Sequence, residues 1–201
     1  MQKKFSSPHC RGAPRRIFFA TPPAARIFWT WGDGVWLYMT NFDHEHFMQR
    51  ALLLAQSAAD LGEIPVGALI VYQGAIIAEA FNTREADGNP LHHAEIKVLQ
   101  IAAAHLQNWR LTDCVLYVTL EPCPMCLGAL LQARVQTVVF GAFDTKRQTG
   151  DYFPSLQSCL QLSSHTGQIA ANNHTLQVMG GILAEESSQL LKQFFKKKRE
   201  R

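Results

Sequence analysis

Between Asp43 and Ala142 the apolar period switches repeatedly between that of a helix and that of a strand, which limits the chain to folds that interleave the two. Phe47, Ala51, Leu54, Ala55, Ala58 and Leu61 recur at three- and four-residue spacing and predict an amphipathic helix closed by Gly62. Val66–Tyr72 and Ala75–Phe81 are short β-rich runs joined by Gln73-Gly74, a hairpin signal. A polar loop with Gly88 and Pro90 leads into a second helix, His93–His105, with Ile96, Leu99 and Ala103 on one face. A strand at Val115–Leu120, a helix at Met125–Ala133 and a strand at Thr137–Ala142 follow.

Residues 143–174 are rich in Ser, Gln, Asn and Gly and read as loop, with room for one short helix around Leu156 and Leu160. Thr175–Met179 is a last strand. Ala184–Lys198 is a helix with Glu185 and Glu186 in its first turn and Lys196, Lys197 and Lys198 in its last, the arrangement the macrodipole favours. This order predicts an α/β fold in which a single mixed sheet carries helices on its faces. No internal repeat is present.

The 201 residues, 47% apolar and 17% charged, suffice for one domain with extensions and exclude a disordered chain. No stretch approaches the roughly 20 apolar residues of a membrane helix. Charge is distributed unevenly. Residues 1–38 carry a net +5 with Asp33 as the single acid, residues 39–191 carry −7, and residues 192–201 carry +5. A nucleic-acid partner is therefore argued from the ends or from one local face, because the bulk composition does not suggest one.

Residues 1–40 form a basic tail with no period to follow. No uninterrupted apolar segment follows the basic start, which argues against a secretory signal. The composition fits an organelle transit peptide, and the alternative is that Met39 is the true start. The body, 41–201, is the expected domain, with an expanded segment at 147–173.

Five cysteines (Cys10, Cys114, Cys123, Cys126 and Cys159) at irregular spacing do not make a secreted disulfide framework. Cys123 and Cys126 form a Cys-x-x-Cys pair, read as metal-binding or redox; the other three read as ordinary thiols, with Cys114 partly buried. Pro122-Cys123-Pro124-Met125-Cys126 puts two sulfurs on the first turn of a helix, whose N–H groups favour thiolates. His93, also at a helix start, can supply a third ligand. Three protein ligands leave the fourth tetrahedral position of Zn²⁺ for water, the arrangement of a catalytic site. Such a water loses its proton near neutral pH. Glu95 can reach it without ligating the metal.

Each part has a plainer reading. A lone Cys-x-x-Cys can be a redox pair or half of a structural zinc site, His93 can be a cap, and Glu95 can be a first-turn acid. His92 competes with His93, and only the H-x-E spacing selects the latter. The combination is far more specific than its parts.

The constellation is similar to the signature of zinc nucleobase deaminases. The wider sequence resembles the bacterial-type tRNA-specific adenosine deaminases. The matching stretches are Glu63-Ile64-Pro65-Val66-Gly67-Ala68, Asn82, His93-Ala94-Glu95-Ile96, Asn108-Trp109-Arg110-Leu111, Leu116–Cys123 and Val138–Ala142, with a looser match at Gly181–Ala184 and Phe194-Phe195. The resemblance implies a five-stranded mixed sheet flanked by helices in three layers, a homodimer without a membrane anchor, and one zinc per subunit in a cytoplasmic enzyme. It implies hydrolytic deamination of the wobble adenosine of a tRNA anticodon, chiefly of an arginine tRNA, to inosine. His93, Cys123 and Cys126 would hold zinc and Glu95 would shuttle protons. Asn82 would hydrogen-bond the target base, and Asp144 with Lys146 would lie beside the anticodon nucleotides. Phe194–Arg199 suits phosphate contacts with an anticodon stem-loop, or else is a dipole-matched helix end.

Two positions depart from the pattern. After Asp144-Thr145-Lys146 a Gly-rich, Ser-containing stretch is replaced by Arg147-Gln148-Thr149-Gly150-Asp151, and His92 stands where a smaller residue is commoner. Two rival functions share these features: deamination of free cytosine, guanine or deoxycytidylate, and a non-catalytic zinc-bearing RNA-binding subunit. Retention of Glu95 argues against the second.

Overall fold

The computed structural model describes residues 41–144, 166–171 and 173–200. The basic tail, Cys10, Cys159, Lys146 and most of the 147–173 segment lie outside the described residues. The elements in order are α1 (Asn41–Asp60), β1 (Gly67–Tyr72), β2 (Ala75–Phe81), α2 (Ala94–Leu106), β3 (Cys114–Leu120), α3 (Pro124–Gln132), β4 (Thr137–Ala142), β5 (Thr166–Ala171), β6 (His174–Gly180) and α4 (Ala184–Arg199). No helix among the described residues is long and apolar enough to cross a membrane.

The strands form one mixed sheet in the order β2-β1-β3-β4-β6-β5. β1 runs antiparallel to both β2 and β3, β3 and β4 are parallel, and so are β4 and β6. β2, β3, β4 and β6 therefore all point the same way, and their C-terminal ends share one edge of the sheet.

Both faces are covered, which is why β1, β3 and β4 read as nearly continuous apolar runs. Ala68, Ile70, Leu116, Val118, Val138 and Phe140 face a core shared with Val98, Leu99 and Ala102 of α2 and Leu130 and Leu131 of α3. The alternate residues Leu69, Val71, Tyr117 and Val139 pack against Phe47, Met48 and Ala51 of α1, with Ile182 and Leu183 ahead of α4. The period of two in the strands thus separates the two helical layers.

α1 lies very close to β1. A Cβ at Gly67 would fall 2.5 Å from the Ala55 backbone nitrogen and closer still to the Ala51 carbonyl oxygen. Only glycine lets the helix backbone approach the strand this way.

The sheet has six strands where five were expected. The addition is β5, in the segment read as loop, and it pairs antiparallel with β6 from Thr166–Met179 to Ala171–His174. Among the described residues β5 is an edge strand, bonded on one side only, so its sequence need not carry a long apolar run. Its turn into β6 places Asn173 at φ 57°, a conformation asparagine tolerates. Leu61, expected on the buried stripe of α1, is 65% exposed, because the helix ends at Asp60 and Gly62 turns the chain. Cys114, expected partly buried, is fully buried, and that burial pushes its thiol up to about 11.

Candidate active site

The chemistry-bearing residues emerge where the strands end. β2 ends at Phe81 and is followed by Asn82; β3 ends at Leu120 and is followed by Glu121 to Cys123; β4 ends at Ala142 and is followed by Phe143 and Asp144. Open α/β sheets gather their ligand sites at such an edge.

His93 and Cys123 hold equivalent places. Each is the N-cap of its helix, His93 at φ −71°, ψ 153° on α2 and Cys123 at φ −71°, ψ 165° on α3, and neither side chain makes a capping hydrogen bond. Pro124 at the first helical position of α3 fixes the turn that brings Cys126 round to Cys123. The three donor atoms converge. His93 Nδ1 lies 3.7 Å from Cys123 Sγ and 3.5 Å from Cys126 Sγ, and the sulfurs are 3.5 Å apart.

Those separations suit a tetrahedral ion. Zinc–sulfur and zinc–nitrogen bonds of ordinary length at tetrahedral angles place two sulfurs about 3.8 Å apart, and sulfur and nitrogen about 3.6 Å apart. Among the described residues, His93, Cys123 and Cys126 are the group able to hold a metal ion. His92 does not join them. Its Nδ1 is 2.6 Å from Asp87 Oδ2, and that carboxylate also accepts from Thr83 and lies 3.5 Å from Lys97 Nζ. The polar loop thus takes up His92 and leaves His93 for the sulfurs.

The electrostatics favour a nucleophilic, metal-ready pair. The Cys126 thiol beside Cys123, aided by His93, holds Cys123 down to about 3, whereas Cys126 itself is pushed up by Cys123 and by burial. The pair therefore shares one proton in the metal-free protein. The hydrogen bond to Cys123 raises His93. Glu95, in the first turn of α2 and 4% exposed, is raised by burial, against its own backbone N–H, His93 and Cys126. A carboxyl raised toward neutrality can both give and take a proton.

Asn82 and Asp144 are each tied to a buried carboxylate that the sequence did not single out. Asn82, 6% exposed, donates from Nδ2 to Glu63 Oε2 at 2.9 Å, and Glu63 Oε1 accepts from the Ala86 N–H at 2.7 Å. Glu121 Oε2 accepts from the Asp144 N–H at 2.9 Å. The signal available for both was an acid beside a proline-containing apolar run, Glu63-Ile64-Pro65-Val66 and Leu120-Glu121-Pro122. Such an acid is rarely fully buried unless paired.

A mixed sheet between helical layers, with a histidine and two cysteines converging at two helix starts beside a buried glutamate, defines a deaminase. The family model of MafB19-like deaminases matches residues 42–199. The chain belongs to the tRNA-specific adenosine deaminases: it is 42% identical over 157 residues to the one from Bacillus subtilis, covering 78% of this chain and 91% of that protein. It is 46% identical over 162 residues to that of Haemophilus influenzae, covering 80% and 87%. A solved structure from work on A-to-I editing by tRNA:A34 deaminases at the wobble position of transfer RNA superposes with a TM-score of 0.60 at 36% identity. It covers 73% of this chain and 99% of that one.

Proposed function

We propose that this protein hydrolyses the 6-amino group of the wobble adenosine, position 34, of a tRNA anticodon, giving inosine and ammonia. An arginine tRNA is the expected substrate. The observation that carries the reading is the triangle of His93, Cys123 and Cys126 donor atoms at 3.5–3.7 Å with the buried Glu95 beside it. Those three residues would hold one Zn²⁺ per subunit. Zinc bound there supplies a hydroxide nucleophile at neutral pH.

The chain's own groups do the rest. Glu95 takes the proton released as water is activated and delivers it to N1 of adenine, which makes C6 a better electrophile. Left as a carboxylate, it then takes the proton of the new C6 hydroxyl and delivers it to the amine at N6, so that the C6 carbonyl forms as ammonia leaves. Proton transfer of this kind is worth about 10²–10⁴-fold. Burial raises the Glu95 carboxyl, which favours the proton-bearing form an acid needs. Asn82 hydrogen-bonds the base, while Asp144 and Lys146 lie beside the neighbouring nucleotides.

An anticodon loop suits such a pocket, because its bases unstack at less cost than those of a duplex. The basic end of α4, Lys196 to Arg199, supplies phosphate contacts. The protein works as a homodimer. An open groove of about 400 Å³ between α2 and α3, lined by Ile96, Leu99, Ala103, Trp109, Leu111 and Ala129, offers a second copy an apolar face. The enzyme acts in the cytoplasm, or in an organelle if residues 1–38 serve as a transit segment.

The test is incubation of the purified protein with an ACG-anticodon stem-loop, reading position 34 for inosine by sequencing. Ammonia release from cytosine or guanine, with none from the stem-loop, would overturn the reading.

A further inference from the structure

Glu63 sits ahead of β1 at 1% exposure, and both its oxygens are occupied by N–H donors: Oε2 by Asn82 Nδ2 and Oε1 by the backbone of Ala86. An ionised carboxylate only accepts. Asn82 must therefore turn its amino group toward Glu63, and its Oδ1 takes no hydrogen bond among the described residues. The backbone of Asn82 is fixed independently, its N–H donating to the Val66 carbonyl at 3.0 Å. What Glu63 decides is thus which end of the amide is left for a ligand.

We infer that Glu63 is a positioning residue that locks the Asn82 amide with its carbonyl oxygen toward the base. The inference rests on the reading that Asn82 contacts the base. Replacing the carboxylate with an amide of the same shape makes the logic sharp. In Glu63→Gln the Ala86 N–H still needs an acceptor, so the substituted glutamine must give it its oxygen. Its NH₂ then faces Asn82, and two NH₂ groups cannot bond each other. The Asn82 amide reverses, satisfying every buried group, and presents a donor where the substrate met an acceptor. The fold loses nothing; the recognition changes sign.

The same reasoning gives a rescue. In the double variant Glu63→Gln, Asn82→Asp, the glutamine NH₂ donates to one oxygen of the new aspartate and the other oxygen is again an acceptor for the base. In Asn82→Asp alone, two carboxylates confront each other, and that variant is expected to be impaired.

The experiment measures kcat/KM on the anticodon stem-loop for Asn82→Ala, Glu63→Gln, Asn82→Asp and the double variant, with zinc content and Tm for each. Expected are losses of about 10- to 100-fold for each single variant, at unchanged zinc content in Glu63→Gln, and recovery in the double variant to within about fivefold of wild type. Wild-type kcat/KM in Asn82→Ala would remove the underlying reading of Asn82. A loss in Asn82→Ala with wild-type kcat/KM in Glu63→Gln, or a double variant no better than Glu63→Gln, would overturn the positioning role alone. If Glu63→Gln does not fold, the double variant decides against wild type: kcat/KM within about fivefold supports the positioning role, and a loss as large as that of Asn82→Ala overturns it.

Discussion

The backbone N–H of Asp144 donates to the buried carboxylate of Glu121 at 2.9 Å, tying the segment after β4 to the segment after β3. Because Cys123 follows Glu121 by two residues, the same side chain links the segment that carries the proposed metal ligands to Asp144. Glu121→Ala leaves the Asp144 N–H without its acceptor. We expect a loss of about 1–3 kcal/mol in stability and a raised KM for the stem-loop, measured by urea unfolding and steady-state kinetics. Glu121→Gln, which keeps an acceptor oxygen, should lose less on both counts.

Glu95 is buried, 4% exposed, beside the proposed metal ligands. Glu95→Ala removes a carboxyl whose burial raises its pKa, a cost to the folded protein. The variant should keep its zinc and melt no lower than wild type, while kcat falls by at least about 10²-fold. Wild-type turnover from a zinc-loaded Glu95→Ala protein would refute the proton-shuttle assignment.

Metal loading should depend on pH in one direction. Zinc needs both sulfurs as thiolates and His93 neutral, so binding releases protons and affinity rises with pH. Cys126 and Cys123 share a proton in the metal-free protein, which is one of those released. Titrating the loaded protein downward from neutrality in the presence of a chromogenic chelator should show zinc leaving and deamination falling together. Cys123→Ser should release zinc at a higher pH than wild type does.

Gly67 tests the packing rather than the chemistry. A methyl group there meets the backbone of Ala51 and Ala55, so Gly67→Ala must push α1 off the sheet. Overpacking of this kind costs about 1–3 kcal/mol, and more when the obstacle is backbone. The urea midpoint should fall with little change in slope, and the fraction still folded should retain its zinc.

Much of the molecule could be read from local pattern. β2 and β4 have the boundaries their β-rich runs suggest, and α2, α3 and α4 start within one residue of the expected positions. The His93, Glu95, Cys123 and Cys126 set was legible because its spacing is fixed by two helix starts. β5 was not, since an edge strand bonded on one side gives no apolar run to detect. Nor were Glu63 and Glu121. A single acid in an apolar stretch has no period, and the partner that explains its burial lies 19 residues away for Glu63 and 23 for Glu121.

Asn82, Cys123 and Asp144 all lie beyond the C-terminal ends of strands whose interiors are devoted to packing. The sheet therefore acts as a chassis on which the recognition loops are exchangeable parts. A change confined to the segments that follow β2, β3 and β4 can therefore alter what the edge accepts while the packed interior stays as it was.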